Sequence, residues 1–141
     1  MRIKGTGKSE LLMGSSGADI IEGGGGNDVI DGGAGTDYLT GGRGADTFIF
    51  HAHSQYDIVT DFNAAEGDRI VFGTDASATQ VMYSGQLFDG LSFQTASGTC
   101  SVHCIDINAD GVMDTQLSLN GDNIFLLGCA PDEVSGSCLV C

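Results

Sequence analysis

GSSGADIIE GGGGNDVID GGAGTDYLT GGRGADTFI, residues 14–49, is one nine-residue phrase written four times without insertion. A degenerate copy, GTGKSELLM, stands in register before it at residues 5–13, with Lys8 replacing the fourth-position glycine and Glu10 the sixth-position aspartate. Self-similarity at a fixed short period signals a stacked architecture in which each unit leans on its neighbours. A flexible glycine linker gives no reason for an aspartate every ninth residue, followed two positions later by a branched or aromatic side chain.

Aligning the copies separates three columns. The first and fourth positions are Gly14, Gly17, Gly23, Gly26, Gly32, Gly35, Gly41 and Gly44, which suits a tight turn needing positive φ or close backbone approach. The sixth is Asp19, Asp28, Asp37 and Asp46, one carboxylate per turn beside carbonyls that glycine leaves exposed. Hard oxygen donors in that arrangement fit Ca²⁺, so these twelve residues are the candidate metal ligands. The eighth is Ile21, Ile30, Leu39 and Phe48, preceded by Leu12, giving one inward apolar residue per short strand. A single large apolar side chain does not offset the entropy of ordering nine residues, and stacked carboxylates repel. The ion must therefore neutralise the charge and supply the missing free energy. Residues 14–49 are expected to be unfolded without Ca²⁺ and β-structured with it.

Composition agrees. The chain has 141 residues, enough for one domain or a repeat stack with a cap. Asp and Glu outnumber Lys and Arg by 19 to 5, a net charge of −14 that excludes nucleic acid and anionic membrane surfaces as partners. Proline occurs once against 23 glycines, so neither a collagen-like period nor a proline-rich linker applies, and no apolar run approaches bilayer length. The N-terminal residues MRIKGTGK are basic but lack the apolar stretch that a cleavable secretory signal needs. No HExxH, GxSxG or phosphate-binding glycine loop occurs, which points to a non-catalytic module. Five cysteines, Cys100, Cys104, Cys129, Cys138 and Cys141, lie in the C-terminal third, an odd number that leaves at least one outside any internal pair. With His103 they make a zinc list by residue type, but their spacing argues against zinc. Along one strand, Cys100 and Cys104 stand too far apart to bridge each other.

After Ile49 the period of nine gives way to strand alternation. DIVTDF at 57–62, a turn at AEGD 65–68 and RIVF at 69–72 read as short strands. From Val102 the alternation returns, with a hairpin turning near Asp110 and Gly111 and with Ile105, Ile107, Met113, Thr115, Leu117 and Leu119 on one face. A second turn at residues 120–121 leads into IFLL at 124–127. An antiparallel sheet packed on the end of the repeat stack would protect its open edge. The expected division is residues 1–49 for the parallel roll, 50–128 for the antiparallel cap and 129–141 for a C-terminal tail. In DINADGVMD, residues 106–114, Asp106, Asn108, Asp110 and Asp114 take positions 1, 3, 5 and 9 of an EF-hand-type loop with Gly111 at position 6. Leu117 stands where that loop has glutamate, and the flanks prefer strand, so the other reading is a hairpin tip with solvated acids. His51 and His53 share one strand face, facing either a metal or solvent.

The repeats resemble the RTX, or haemolysin-type, nonapeptide G-G-x-G-x-D-x-U-x. That resemblance implies an all-β fold, a parallel β-roll in which six residues turn and three form strand, two repeats complete one turn, and calcium sits between turns two repeats apart. The implied ligand pairs are Asp19 with Asp37 and Asp28 with Asp46. Glu10 with Asp28 is a further pair, against which Lys8 places a positive charge. D-x-I-x-D-F followed by D-x-I, here 57–62 and 68–70, resembles the motif closing such rolls in serralysin-type proteases and alginate-epimerase R-modules. It adds Asp57 and Asp61 as ligands of a last site, although both also read as surface strand residues. The resemblance further implies type I secretion, folding outside the cell in millimolar calcium, and attachment to an upstream catalytic module. A polysaccharide-binding module of the epimerase type, or an adhesin-like structural repeat, are the alternative roles.

Overall fold

The computed structural model describes residues 1–51, 55–72, 90–95, 98–105, 109–119, 122–128 and 139–140. Short strands recur every nine residues: β1 (Arg2–Lys4), β2 (Leu11–Met13), β3 (Ile20–Glu22), β4 (Val29–Asp31), β5 (Tyr38–Thr40) and β6 (Thr47–Phe50). Each takes the seventh to ninth repeat positions, so its central residue is the apolar eighth. Glycine and aspartate claim the first six positions for the turn, and three residues are all that remain for strand.

Odd and even strands go to different sheets. Ile3 aligns with Ile21 and Ile21 with Leu39 in one parallel sheet. Leu12 aligns with Ile30 and Ile30 with Phe48 in the other. Two nonapeptides therefore make one turn of a parallel β-solenoid. Backbone bonds tie each turn to the next, such as Gly23 N–H to Thr40 O at 2.7 Å and Thr47 N–H to Asp28 O at 2.8 Å. Parallel pairing outlasts the repeats: β7 (Tyr56–Val59) pairs with β5, and β8 (Arg69–Phe72) with β6. The nonapeptide ends at Ile49, but parallel pairing continues to Phe72. Between these strands a 3₁₀ turn, Ala64–Glu66, is capped by the Asn63 side chain and closed by left-handed Gly67, within the turn expected at 65–68.

The second half forms an antiparallel run, β9 (Ser92–Thr95), β10 (Gly98–Ile105), β11 (Asp114–Leu119) and β12 (Asp122–Leu126). The two expected hairpins are present, with Ile105 opposite Asp114 and Leu119 opposite Asp122. The antiparallel strands sit on the end of the roll and cover its open edge as expected, joining it edge to edge, because β12 pairs in parallel with β7. One eight-stranded sheet results, in the order β1-β3-β5-β7-β12-β11-β10-β9. This satisfies the open N–H and C=O row of β7, which a sheet packed face-on would leave exposed. Nor is the end of the chain only a tail: β13 (Leu139–Val140) pairs in parallel with β8 and completes a five-stranded sheet, β13-β8-β6-β4-β2.

Among the described residues a large hydrophobic core runs from the roll into the antiparallel strands, and a small second cluster joins Ile49 and Val71. Ile21, Ile30, Leu39 and Phe48 are fully buried, as the eighth column requires, and Val59 and Ile70 take the same inward place after the repeats end. Cys100, Val102, Leu117, Ile124 and Leu126 extend that core under the antiparallel strands. Thr115, Leu117 and Leu119 share the inward face as expected, but Met113 is exposed, since it lies in the loop before β11 begins. Ile107 lies outside the described residues. Cys100 and Cys104 form no disulfide, in keeping with their places along β10. Burial pushes the Cys100 thiol up to about 11. Cys129, Cys138 and Cys141 lie outside the described residues. No described helix is long and apolar enough to cross a membrane.

Candidate metal centre

The sixth-position carboxylates line up in two columns, one along each side of the roll. On one side Glu10 N–H donates to Asp28 Oδ1 at 2.9 Å, Asp28 N–H to Asp46 Oδ1 at 2.8 Å, and Asp46 N–H to Asp68 Oδ1 at 2.8 Å. On the other, Asp19 N–H donates to Asp37 Oδ1 at 2.9 Å and Asp37 N–H to Asp57 Oδ1 at 3.2 Å. Each aspartate thus spends one oxygen holding the turn two repeats before it. The turns of Asp19 and Asp37, and those of Asp28 and Asp46, are brought together as the sequence suggests.

The other oxygen has a different fate. Oδ2 of Asp28, Asp37 and Asp46 is buried and accepts no hydrogen bond. An unpaired buried carboxylate oxygen is costly, which makes these atoms a sensitive test of whether an ion fits. Each lies against the first glycine of its own repeat. A Cβ built on Gly23 would stand 2.5 Å from both Asp28 Oδ2 and the carbonyl of Gly41, and Cβ atoms on Gly32 or Gly41 would strike Asp37 or Asp46 in the same way. At all three a carboxylate oxygen sits where only glycine leaves room, and at Gly23 a backbone carbonyl converges on the same point. That donor chemistry fits Ca²⁺, and the site carries one carboxylate per turn in place of a dense acidic cluster. Among the described residues no group of three His, Cys, Asp or Glu side chains converges.

Electrostatics follow the same division. Desolvation is the largest influence on Asp28, Asp37, Asp46 and Asp68, and it raises all four above the ordinary carboxylate value, Asp46 to about 6. Neighbouring carboxylates push in the same direction: Glu10 on Asp28, Asp19 on Asp37, and Asp68 on Asp46. Asp19 goes the other way, lowered first by the backbone N–H of Ser15.

Asp57 is buried and takes the sixth-position role in its column. Asp61 accepts from Gly41 N–H at 2.9 Å and Gly42 N–H at 2.8 Å, closing the roll through both oxygens. Asp68 was missed by the sequence reading as a site residue. It is buried, holds Asp46 N–H, and receives Asn63 N–H at 2.9 Å. Asp68-Arg69-Ile70 repeats the register of Asp46-Thr47-Phe48, but a separation of 22 in place of 18 hides it. The glycine columns divide the two expected roles between them, and a second-position column joins them. In the last three repeats the positive φ falls at the second and fourth positions, as at Gly42 and Gly44, while the first-position glycines serve close approach.

His51 Nε2 meets buried Asp31 Oδ2 at 2.7 Å, so this histidine, just after β6, is paired to a carboxylate of β4. Its expected strand neighbour His53 lies outside the described residues, as do Asp106 and Asn108. Of that second candidate loop, Asp110 is exposed and accepts from Val112 N–H at 2.8 Å. Asp114 is fully buried and accepts from Gly128 N–H at 2.6 Å.

Comparison with known proteins agrees with this geometry. Residues 5–48 match the family model described as the RTX calcium-binding nonapeptide repeat, in four copies. The chain is similar to the AlgE6R2 subunit of the Azotobacter vinelandii mannuronan C5-epimerase, with 27% identity and a TM-score of 0.53, covering 99% of this chain and 91% of that one. It is similar also to the AlgE6R3 subunit of the same enzyme, with 28% identity and a TM-score of 0.50, covering 94% and 78%. A looser likeness joins it to the extracellular lipase LipA of Serratia marcescens, with 21% identity and a TM-score of 0.48, covering 96% of this chain and 20% of that one. No curated protein sequence matches the chain.

Proposed function

Taking residues 5–48 as RTX calcium-binding repeats, we propose that this chain is a non-catalytic module whose fold is completed by calcium, and that it serves the folding and export of an extracellular protein. The observation that carries this reading is the set of three buried, unpaired Oδ2 atoms on Asp28, Asp37 and Asp46, each pressed on a first-position glycine. These aspartates, with carbonyls of the first-position glycines, are the proposed ligands. Bound calcium neutralises the carboxylates and replaces the hydrogen bonds that their second oxygens lack. A chain at net charge −14 that cannot fold without this ion stays extended where calcium is scarce and compacts where it is plentiful. We assign the parallel strands to residue 72 to the roll, and β9–β12 to a cap that seals its edge. Calorimetric titration with calcium, alongside far-UV circular dichroism in chelator and in millimolar calcium, tests the proposal. Saturable binding with gain of β signal is expected; absence of binding, or identical spectra, defeats it.

A second reading, binding to an uronate polysaccharide, is favoured by one feature of the eight-stranded sheet. Tyr56 and Phe125 stack with ring centroids 6.2 Å apart and an 8° interplanar angle, and Tyr38 lies exposed on an adjacent strand. Flat aromatic surfaces of this kind suit pyranose rings, and the similar epimerase subunits belong to an enzyme named for mannuronan. Titration with oligomannuronate in saturating calcium distinguishes the two readings: heat of binding that is lost in Tyr56→Ala supports the second, and no binding leaves the first alone.

A further inference from the structure

The glycine-rich bends of the five nonapeptides, one bend per repeat, fall into two backbone classes, divided by the second residue of the repeat. In the turns beginning at Gly23, Gly32 and Gly41 the second residue is glycine at φ +98°, +87° and +90°, and the fourth is glycine at +87°, +104° and +111°. In the turns beginning at Gly5 and Gly14 the second residue is Thr6 or Ser15, and neither these nor the fourth residues Lys8 and Gly17 have positive φ. Here the hydroxyl organises the turn. Lys8 N–H donates to Thr6 Oγ1 and Gly17 N–H to Ser15 Oγ, both at 3.2 Å, a side-chain turn that needs no left-handed residue. This explains how lysine can stand at a glycine position.

The consequence reaches the carboxylate. With the backbone in this class, the second residue's N–H points at the acid of its own repeat: Thr6 N–H to Glu10 Oε1 and Ser15 N–H to Asp19 Oδ2, both 2.6 Å. Ser15 Oγ adds bonds to both Asp19 oxygens at 3.1 and 3.0 Å, and the Met1 ammonium lies 3.1 Å from Oδ1. Every oxygen that Asp19 would offer an ion is already engaged. In the all-glycine class no such donor turns inward, and Oδ2 of Asp28, Asp37 and Asp46 is left alone.

We infer that the second residue of each repeat decides whether its turn contributes a carboxylate to calcium: the Thr6 and Ser15 turns close on themselves, and the Gly24, Gly33 and Gly42 turns leave one oxygen each for the ion. This rests on the calcium-binding reading and narrows it. The first two turns are a metal-independent end of the roll, and the Asp19–Asp37 pair draws its metal oxygen from Asp37.

Calorimetric calcium stoichiometry on the full chain tests this, with far-UV circular dichroism in saturating calcium certifying the fold of each variant. Ser15→Gly recreates the all-glycine turn and is expected to bind one ion more than the wild type; adding Asp19→Asn to it should return the count to the wild-type value. Asp19→Asn alone should keep the wild-type number, and Asp37→Asn should lose one ion. The inference is overturned if Ser15→Gly gains nothing, or if Asp19→Asn loses an ion as Asp37→Asn does. Should an aspartate variant fail to fold, the Ser15→Gly count decides by itself. A wild-type chain that binds no calcium overturns the underlying reading together with the inference, and is recognised before any variant is compared.

Discussion

Burial raises the Asp46 carboxyl to about 6 against an ordinary 3.8, with Asp28, Asp37 and Asp68 displaced in the same direction. A carboxyl whose folded pKa is raised keeps its proton in the metal-free fold. That fold is favoured below the unfolded value near 3.8 and loses the contribution as pH climbs through about 6. Calcium needs the charged form, so its apparent affinity should strengthen across the same window and level off above it. Titration near about pH 5 in buffers of different ionisation enthalpy should reveal the released proton; affinity that stays flat from pH 4 to 7 would contradict this. Backbone hand gives a second prediction. Gly42 has φ +90°, and a Cβ there would run into the carbonyl of Gly24. Gly42→Ala should destabilise the calcium-loaded fold by at least about 1–2 kcal/mol, the cost of a left-handed L-residue before any clash. The control is Gly25→Ala, whose Cβ comes no closer than 3.5 Å to the Gly7 backbone and should stay within about 0.5 kcal/mol by denaturant unfolding. At this scale the aspartate column was legible because it recurs in strict register. Asp68 was not, because the insertion around the 3₁₀ turn lengthens its separation from Asp46 to 22 in place of 18.

Three-residue strands hold together only as members of a stack, since none of them can bury a face alone. Their stability is concentrated in the eighth column, where Phe48 is the largest fully buried side chain. Phe48→Ala should cost about 3–5 kcal/mol in chemical denaturation at saturating calcium, whereas Tyr38→Ala, on the exposed face of β5, should cost far less. Comparable losses at the two positions would mean that the core is not where the inward column places it. Strands β2 to β6 could be read from the period, and the two hairpins of β10–β12 from alternation and turn residues. The edge partner of β12 could not. Alternation tells which face a strand buries, but pairing with β7 joins backbone groups far apart in the sequence, as where Asn123 N–H donates to Gln55 O, and leaves no local signal. The two-residue β13 is too short for any pattern.

For the molecule as a whole, the proposed function makes metal and fold one equilibrium. A compact chain of this length has a radius of gyration of about 14 Å and an unfolded one about 39 Å. Small-angle scattering in saturating calcium should give a value near the first, and chelator should move it well toward the second, helped by self-repulsion at net charge −14. A radius indifferent to chelator would mean that the core holds the roll unaided. The nonapeptide by itself determined the roll, its inward column and the class of ion, because an identical local problem posed every nine residues has one stacked solution. Only the tertiary structure decided where the roll ends, that the antiparallel strands extend its sheet by the edge, and which aspartates retain an unpaired oxygen. Those outcomes turn on hydrogen bonds between groups about 18 to 22 residues apart or more, and on the hand of the backbone at the second residue of each turn.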